Sequence, residues 1–87
     1  MPEICRFFGI INTMYADDHN PPYFHLLYSE FEALIIIAKG NLLEGEVPNK
    51  QLRLVQAWVE LRREELENNW LESQKENPNF IKINSLQ

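Results

Sequence analysis

Sulfur, glycine and long apolar runs are all scarce in this chain of 87 residues. It has one cysteine, Cys5, so no disulfide can close within it and no cysteine-built zinc cluster can assemble. That excludes a secreted, disulfide-held module and points to a reducing compartment. The three glycines, at positions 9, 40 and 45, are too far apart to make a phosphate-cradling loop, so phosphate chemistry by that route is excluded. The longest unbroken apolar run is the six residues from Ala33 to Ala38, against roughly 20 for a membrane helix. The first residues lack the basic-then-apolar order of a signal peptide, and the expected location is cytoplasmic, without membrane contact. Positive charge is short as well. Eight Lys and Arg face thirteen Asp and Glu, a formal net charge of −5, the wrong sign for a protein that binds by neutralising phosphates. Nucleic acid is therefore not expected as a direct partner.

What is present suits one small globular domain over residues 1–87, with 45% hydrophobic and 24% charged residues. The charge divides at Pro48. Residues 1–47 carry two basic and seven acidic groups, whereas residues 48–87 carry six of each, so the whole excess lies in the first part. The hydrophobic pattern changes at the same point, from short apolar runs broken by turn formers to a long helical period.

Before Pro48, Ile4–Phe8 and Ile10–Tyr15 are β-branched and aromatic with Gly9 between them, which reads as a hairpin. A loop of turn formers, Asp17-Asp18-His19-Asn20-Pro21-Pro22, follows. Tyr23–Tyr28 reads as a third strand, Ser29-Glu30 as a turn, and Phe31–Ile37 as a fourth strand. The unalternating Leu34-Ile35-Ile36-Ile37 predicts that this strand is central and covered on both faces. Lys39-Gly40-Asn41 is a turn signal, and Leu42–Val47 a short fifth strand with Glu44 and Glu46 on a solvent face. From Asn49 to about Lys75 no glycine or proline intervenes, and Leu52, Val55, Val59, Leu66 and Trp70 recur at helical spacing. Arg62 is the polar member of that stripe, read either as a stem packed on the sheet with a snorkelling head or as an ion pair across a subunit boundary. Pro48 suits the helix start and Asn77-Pro78 its end. One long helix, kinked if anywhere near Leu61–Arg63, is preferred over an antiparallel pair. Residues 77–87 form a tail, in which Asn79–Ile83 alternates well enough to add a strand to its own sheet or to another chain. The expected fold is α+β: an antiparallel sheet of four to five strands packed by one C-terminal helix.

Chemistry, if any, concentrates in Tyr15–Tyr28, which holds both histidines. His19 or His25 could act as a general base oriented by Asp18. The same groups match no strong metal spacing, so no metal and no cofactor is expected. The structural alternative has Asp17 and Asp18 in side-chain-to-backbone turns and the histidines facing solvent or a partner. Cys5, in an apolar strand, reads as core filler. Trp58 and Trp70 are twelve residues apart, about 120° net around a helix, so Trp58 is expected to face away from the sheet toward a partner.

Asp18, His19, Pro21, Pro22, His25 and Tyr28, followed by Leu52, Trp58, Glu65, Leu66 and Trp70, resemble a small prokaryotic family, domain-of-unknown-function family 4160. The resemblance runs from about Ile4 to Trp70. The loop histidine common in that family is Tyr23 here, so a three-histidine site cannot be assembled. The resemblance implies a protein encoded beside a second small protein in a two-gene, toxin–antitoxin-like arrangement. The leading expectation is a non-enzymatic interaction module that binds a protein partner or a second copy of itself. Its contacts would come from Asp17, His19, Pro21, Pro22, Tyr23, His25, Tyr28 and Trp58. The alternative is a small hydrolase or nuclease toxin using Asp18, His19 and His25.

Overall fold

The structure, a computed structural model, describes residues 3–14, 21–75 and 80–85. Five strands and one helix follow in order: β1 (Glu3–Phe7), β2 (Ile10–Thr13), β3 (Tyr23–Tyr28), β4 (Phe31–Ile36), β5 (Leu42–Gly45) and α1 (Asn49–Ser73). The strands form one antiparallel meander in the order β1-β2-β3-β4-β5. Each expected strand is present, and its ends lie within two residues of those expected. Phe8 and Gly9 both take positive φ, 48° and 77°, as a two-residue primed hairpin turn requires. β5 stops at Gly45 (φ 87°), where a built Cβ would lie 2.3 Å from the Glu32 carbonyl oxygen. Only glycine lets the chain pass β4 that closely.

The register sorts the sheet's side chains into two faces, because directly paired residues point the same way. Phe7 pairs with Ile10, Ile10 with Tyr28, Asn12 with Leu26, and Leu26 with Ala33. This face packs under α1, and Phe7 and Phe24 meet the Trp58 ring at centroid distances of 5.5 and 5.6 Å. Along β4 the burial alternates: Ala33, Ile35 and the following Ile37 are buried, while Leu34 and Ile36 are half-buried. The expectation of a central strand covered on both faces is therefore corrected. β4 is hydrogen-bonded on both edges, but its apolar run has one fully covered face, and the middle strand is β3.

α1 is one element whose backbone leaves helical geometry at Arg62 (φ −118°, ψ 20°), so the single, kinked helix is observed. Its buried residues are Val55, Trp58, Val59, Leu66, Asn69, Trp70 and Ser73. This corrects two expectations. Trp58 is 0% exposed and Trp70 5%, so Trp58 does not face a partner. Counted at 100° per residue, the stripe's centre passes between 58 and 59 and between 69 and 70, so a nominal 120° leaves each indole about 60° to either side of it, both on the buried stripe. Nor is Arg62 alone as a polar member of the stripe, since Asn69 and Ser73 are 2% and 0% exposed. Arg62 is half-buried, with its head 3.9 Å from Glu65 on the next turn, so it reaches toward an acid of its own helix.

Of the two alternatives for the C-terminal residues, a tail or an added strand, the described ones show the tail. Residues 80–85 carry no strand and the sheet stays at five. They instead lie against their own chain, with Ile83 N–H donating to the Ile4 carbonyl (2.8 Å) and Ile83 5% exposed.

Candidate functional site: the open face of the sheet

Among the described residues no helix lies on the second face of the sheet. In register across it stand Ile11, Leu27 and Glu32 in one row, and Thr13, His25, Leu34 and Glu44 in the next. Tyr23 pairs with Ile36 beyond them. Ile11, Tyr23, His25, Leu27, Leu34 and Ile36 are all half-buried, and Glu32 and Glu44 are exposed. A hollow of about 510 Å³ opens here, lined by His25, Leu27, Glu32, Leu34, Glu44 and Gly45, with Leu26 and Ala33 contributing to its floor. Gly45 has no side chain to fill it. One imidazole and two carboxylates around leucine walls suit a cationic group on an aliphatic stem: the carboxylates accept its hydrogen bonds and the leucines cover its methylenes.

The site residues expected from the sequence fare unequally. Asp17, Asp18 and His19 lie outside the described residues, and with them any pairing of Asp18 or His19 with His25. Pro21 is exposed and Pro22 half-buried; the Pro22 carbonyl accepts from Ile37 N–H at 3.1 Å, extending the β3–β4 ladder by one bond. Tyr23 bridges the two sides at the end of β3, its ring 5.6 Å from both His25 and Trp70. Tyr28 is half-buried and stacks on Phe31 beside the turn, at 6.5 Å and 15°. The structure thus joins Tyr23 and His25, sets Tyr28 at the far end of the same strand and places Trp58 in the core. Among the described residues no group of three or more His, Cys, Asp or Glu could hold a metal ion. Thr13, the cross-strand neighbour of His25, is 1% exposed, and its hydroxyl has no partner among the described residues.

Leu27, Glu32, Leu34 and Glu44 were not expected in the site. Their signal was the strand register, which places residues from three strands at one point. Alternation had put Glu44 on a solvent face but could not say what stood beside it. Away from this face, burial raises the Cys5 thiol pKa above its ordinary value, with the Glu3 charge adding to the rise, while a backbone hydrogen bond at Arg6 and the Arg62 charge oppose it. Such a thiol is a poor nucleophile.

A five-stranded meander with one face under a single helix and an acidic hollow on the other, where no helix lies among the described residues, defines a small α+β domain. The chain belongs to the family described as Domain of unknown function (DUF4160), whose model matches residues 9–71. That span runs from the second residue of the first hairpin turn through the open face and nearly all of α1. No curated protein and no solved structure matches the chain. Among the described residues, no helix is long and apolar enough to cross a membrane.

Proposed function

We propose that this protein is an interaction module, one member of a two-gene, toxin–antitoxin-like pair, which holds a basic segment of its partner protein across the open face of the sheet. The observation that carries this reading is the hollow between β3, β4 and β5, where His25, Glu32 and Glu44 stand around Leu27 and Leu34. The concentration of the chain's net charge of −5 in residues 1–47 adds long-range attraction for a basic surface. Pro21, Pro22, Tyr23 and Tyr28 extend the contact along β3, and Asp17 and His19 precede them in sequence.

The test is co-purification with the product of the neighbouring gene, followed by calorimetric titration of wild type and of a Glu32→Lys/Glu44→Lys variant. Both positions are exposed, so the fold should survive. The reading expects a complex that weakens with salt and loses about tenfold or more in affinity on double charge reversal. Failure to bind, or unchanged affinity in the variant, overturns it. A second reading, general-base hydrolysis, draws on the same hollow, since His25 lies there beside two carboxylates. It expects growth inhibition by the expressed protein that His25→Ala abolishes while the far-UV circular dichroism is unchanged.

A further inference from the structure

The open face presents its side chains in rows across β3 and β4: Leu27, then His25 with Leu34, then Tyr23 with Ile36, and Ile11 of β2 stands next to Leu27. All are half-buried, so each keeps area that a covering layer would remove from water. The carboxylates gather on one side of these rows. Glu32 of β4 stands beside Leu27 and Glu44 of β5 beside Leu34, and Glu46, whose N–H donates to the Glu32 carbonyl at 3.1 Å, follows on the same border. On the β1 side Arg6 is already paired with Glu3 at 2.8 Å. The face is thus apolar along its middle and acidic along its β5 border. A second copy would set carboxylates against carboxylates, whereas a cationic chain is attracted.

A cationic segment can meet this face as a strand or as a helix, and hydrogen bonding separates the two. Spacing does not: the rows lie about 7 Å apart along a strand, close both to alternate residues of an extended chain and to every fourth residue of a helix, about 6 Å. An extended chain needs partners for its N–H and C=O groups. Laid flat, it would bury them against Ile11, Leu27, Leu34 and Ile36, whose side chains form no hydrogen bonds, and each unpaired group carries a desolvation cost. Added at an edge, it meets two edges that resist it. The β1 edge is covered by the chain's own residues 80–85: Ile83 N–H donates to the Ile4 carbonyl, and Asn69 Nδ2 and Trp58 Nε1 donate to the carbonyls of Ile81 and Asn84, each at 2.8 Å. β5 has four residues, and its register slips between Glu44 opposite Leu34 and Leu42 opposite Ile35, which leaves Leu43 as a bulge. Short, bulged and charged edges disfavour strand addition. A helix satisfies its backbone internally and needs only an apolar surface for its stripe.

We propose that the basic segment held on the open face is an amphipathic helix of the partner protein, laid over Leu27, Leu34 and Ile36 as a second helical layer; this rests on the reading of the hollow as a site for a basic partner and specifies the form that partner takes. Its apolar residues recur at i, i+3, i+4 and i+7. Lys or Arg flank that stripe on the side that meets Glu32 and Glu44, with their methylenes over the leucines.

Two synthetic peptides of about 14 residues, long enough for helix formation, test this with the full-length protein. Both have the same content of leucine, alanine and lysine; one places leucine at i, i+3, i+4 and i+7, the other at strictly alternating positions. Calorimetry should find the helical-period peptide bound more tightly by about tenfold or more, with a gain of helical circular dichroism on mixing and amide NMR shift changes at Ile11, Leu27 and Leu34. Leu27→Ser, at a half-buried position, should weaken that binding by about tenfold; Leu34→Ser takes its place should Leu27→Ser not fold. Equal binding of the two peptides, preference for the alternating one, no binding of the helical-period peptide at millimolar concentration, or shift changes confined to Leu42–Gly45 overturns the proposal. Its failure is distinct from that of the reading beneath it. If Glu32→Lys/Glu44→Lys loses the neighbouring gene's product while the peptides show no helical preference, the basic partner stands and the helical form falls; if that variant binds the product as wild type does, both fall.

Discussion

Replacing Gly45 by alanine tests the geometry that shapes the hollow, because two separable costs fall on one methyl group. The first is conformational. Gly45 has φ of 87°, and a side chain in left-handed backbone costs about 1–2 kcal/mol. The second is steric. The new Cβ would lie 2.3 Å from the Glu32 carbonyl oxygen and 3.0 Å from Ala33 Cα, both in the backbone of β4, which cannot rotate away as a side chain can. Relief requires β5 to move by about an ångström, the gap between 2.3 Å and ordinary contact. That movement sacrifices bonds at the strand end, among them Glu46 N–H to the Glu32 carbonyl at 3.1 Å, each worth about 0.5–1.5 kcal/mol. The total is about 2–4 kcal/mol. Gly9→Ala is the internal control. Its φ of 77° imposes a similar strain, but its Cβ would meet nothing nearer than Tyr28 Cε1 at 3.5 Å, so it should lose only about 1 kcal/mol. Urea denaturation at constant m measures both, and in a domain of this size each kcal/mol moves Tm by about 4–8 °C. Equal losses for the two variants, within about 0.5 kcal/mol, would refute the reasoning by showing that β5 adjusts freely beside β4.

Two further outcomes follow from the buried groups. Asn12 is 0% exposed and both ends of its amide lack a hydrogen-bond partner among the described residues; since an unsatisfied buried polar group costs about 1–3 kcal/mol, Asn12→Leu should raise stability by that order in urea denaturation, and a loss would mean the amide is satisfied by bound water. For Cys5, burial raises the folded-state thiol pKa, so above about pH 8.5 the unfolded chain releases a proton that the native chain keeps. Stability should then fall as pH rises through that range, until the folded thiol itself ionises. Cys5→Ser should flatten this slope, and a slope unchanged in that variant would assign it to other groups.

The residues differ in how much of their role can be read locally. Phe8-Gly9, Ser29-Glu30 and Lys39-Gly40-Asn41 mark where the chain reverses, because turn chemistry is a property of two or three neighbours. The uninterrupted stretch from Asn49, with apolar residues at helical spacing, marks α1 for a similar reason, since a helix's pattern repeats within its own length. Trp58 shows where local periodicity stops being enough. Whether a nominal 120° between the two indoles places them on opposite sides or on the two shoulders of one stripe depends on how broad a surface the sheet offers.

The sequence by itself therefore determined the class of fold, the order of its elements and the half of the chain that carries the charge, since all of these follow from short-range pattern and composition. Tertiary structure alone decided which residues meet. Register brings His25 of β3, Glu32 of β4 and Glu44 of β5 around one hollow, and the return of the chain sets Asn69 and Trp58 against the backbone of residues 81–84. Both are contacts between residues distant along the chain, and no period within a strand or helix encodes them.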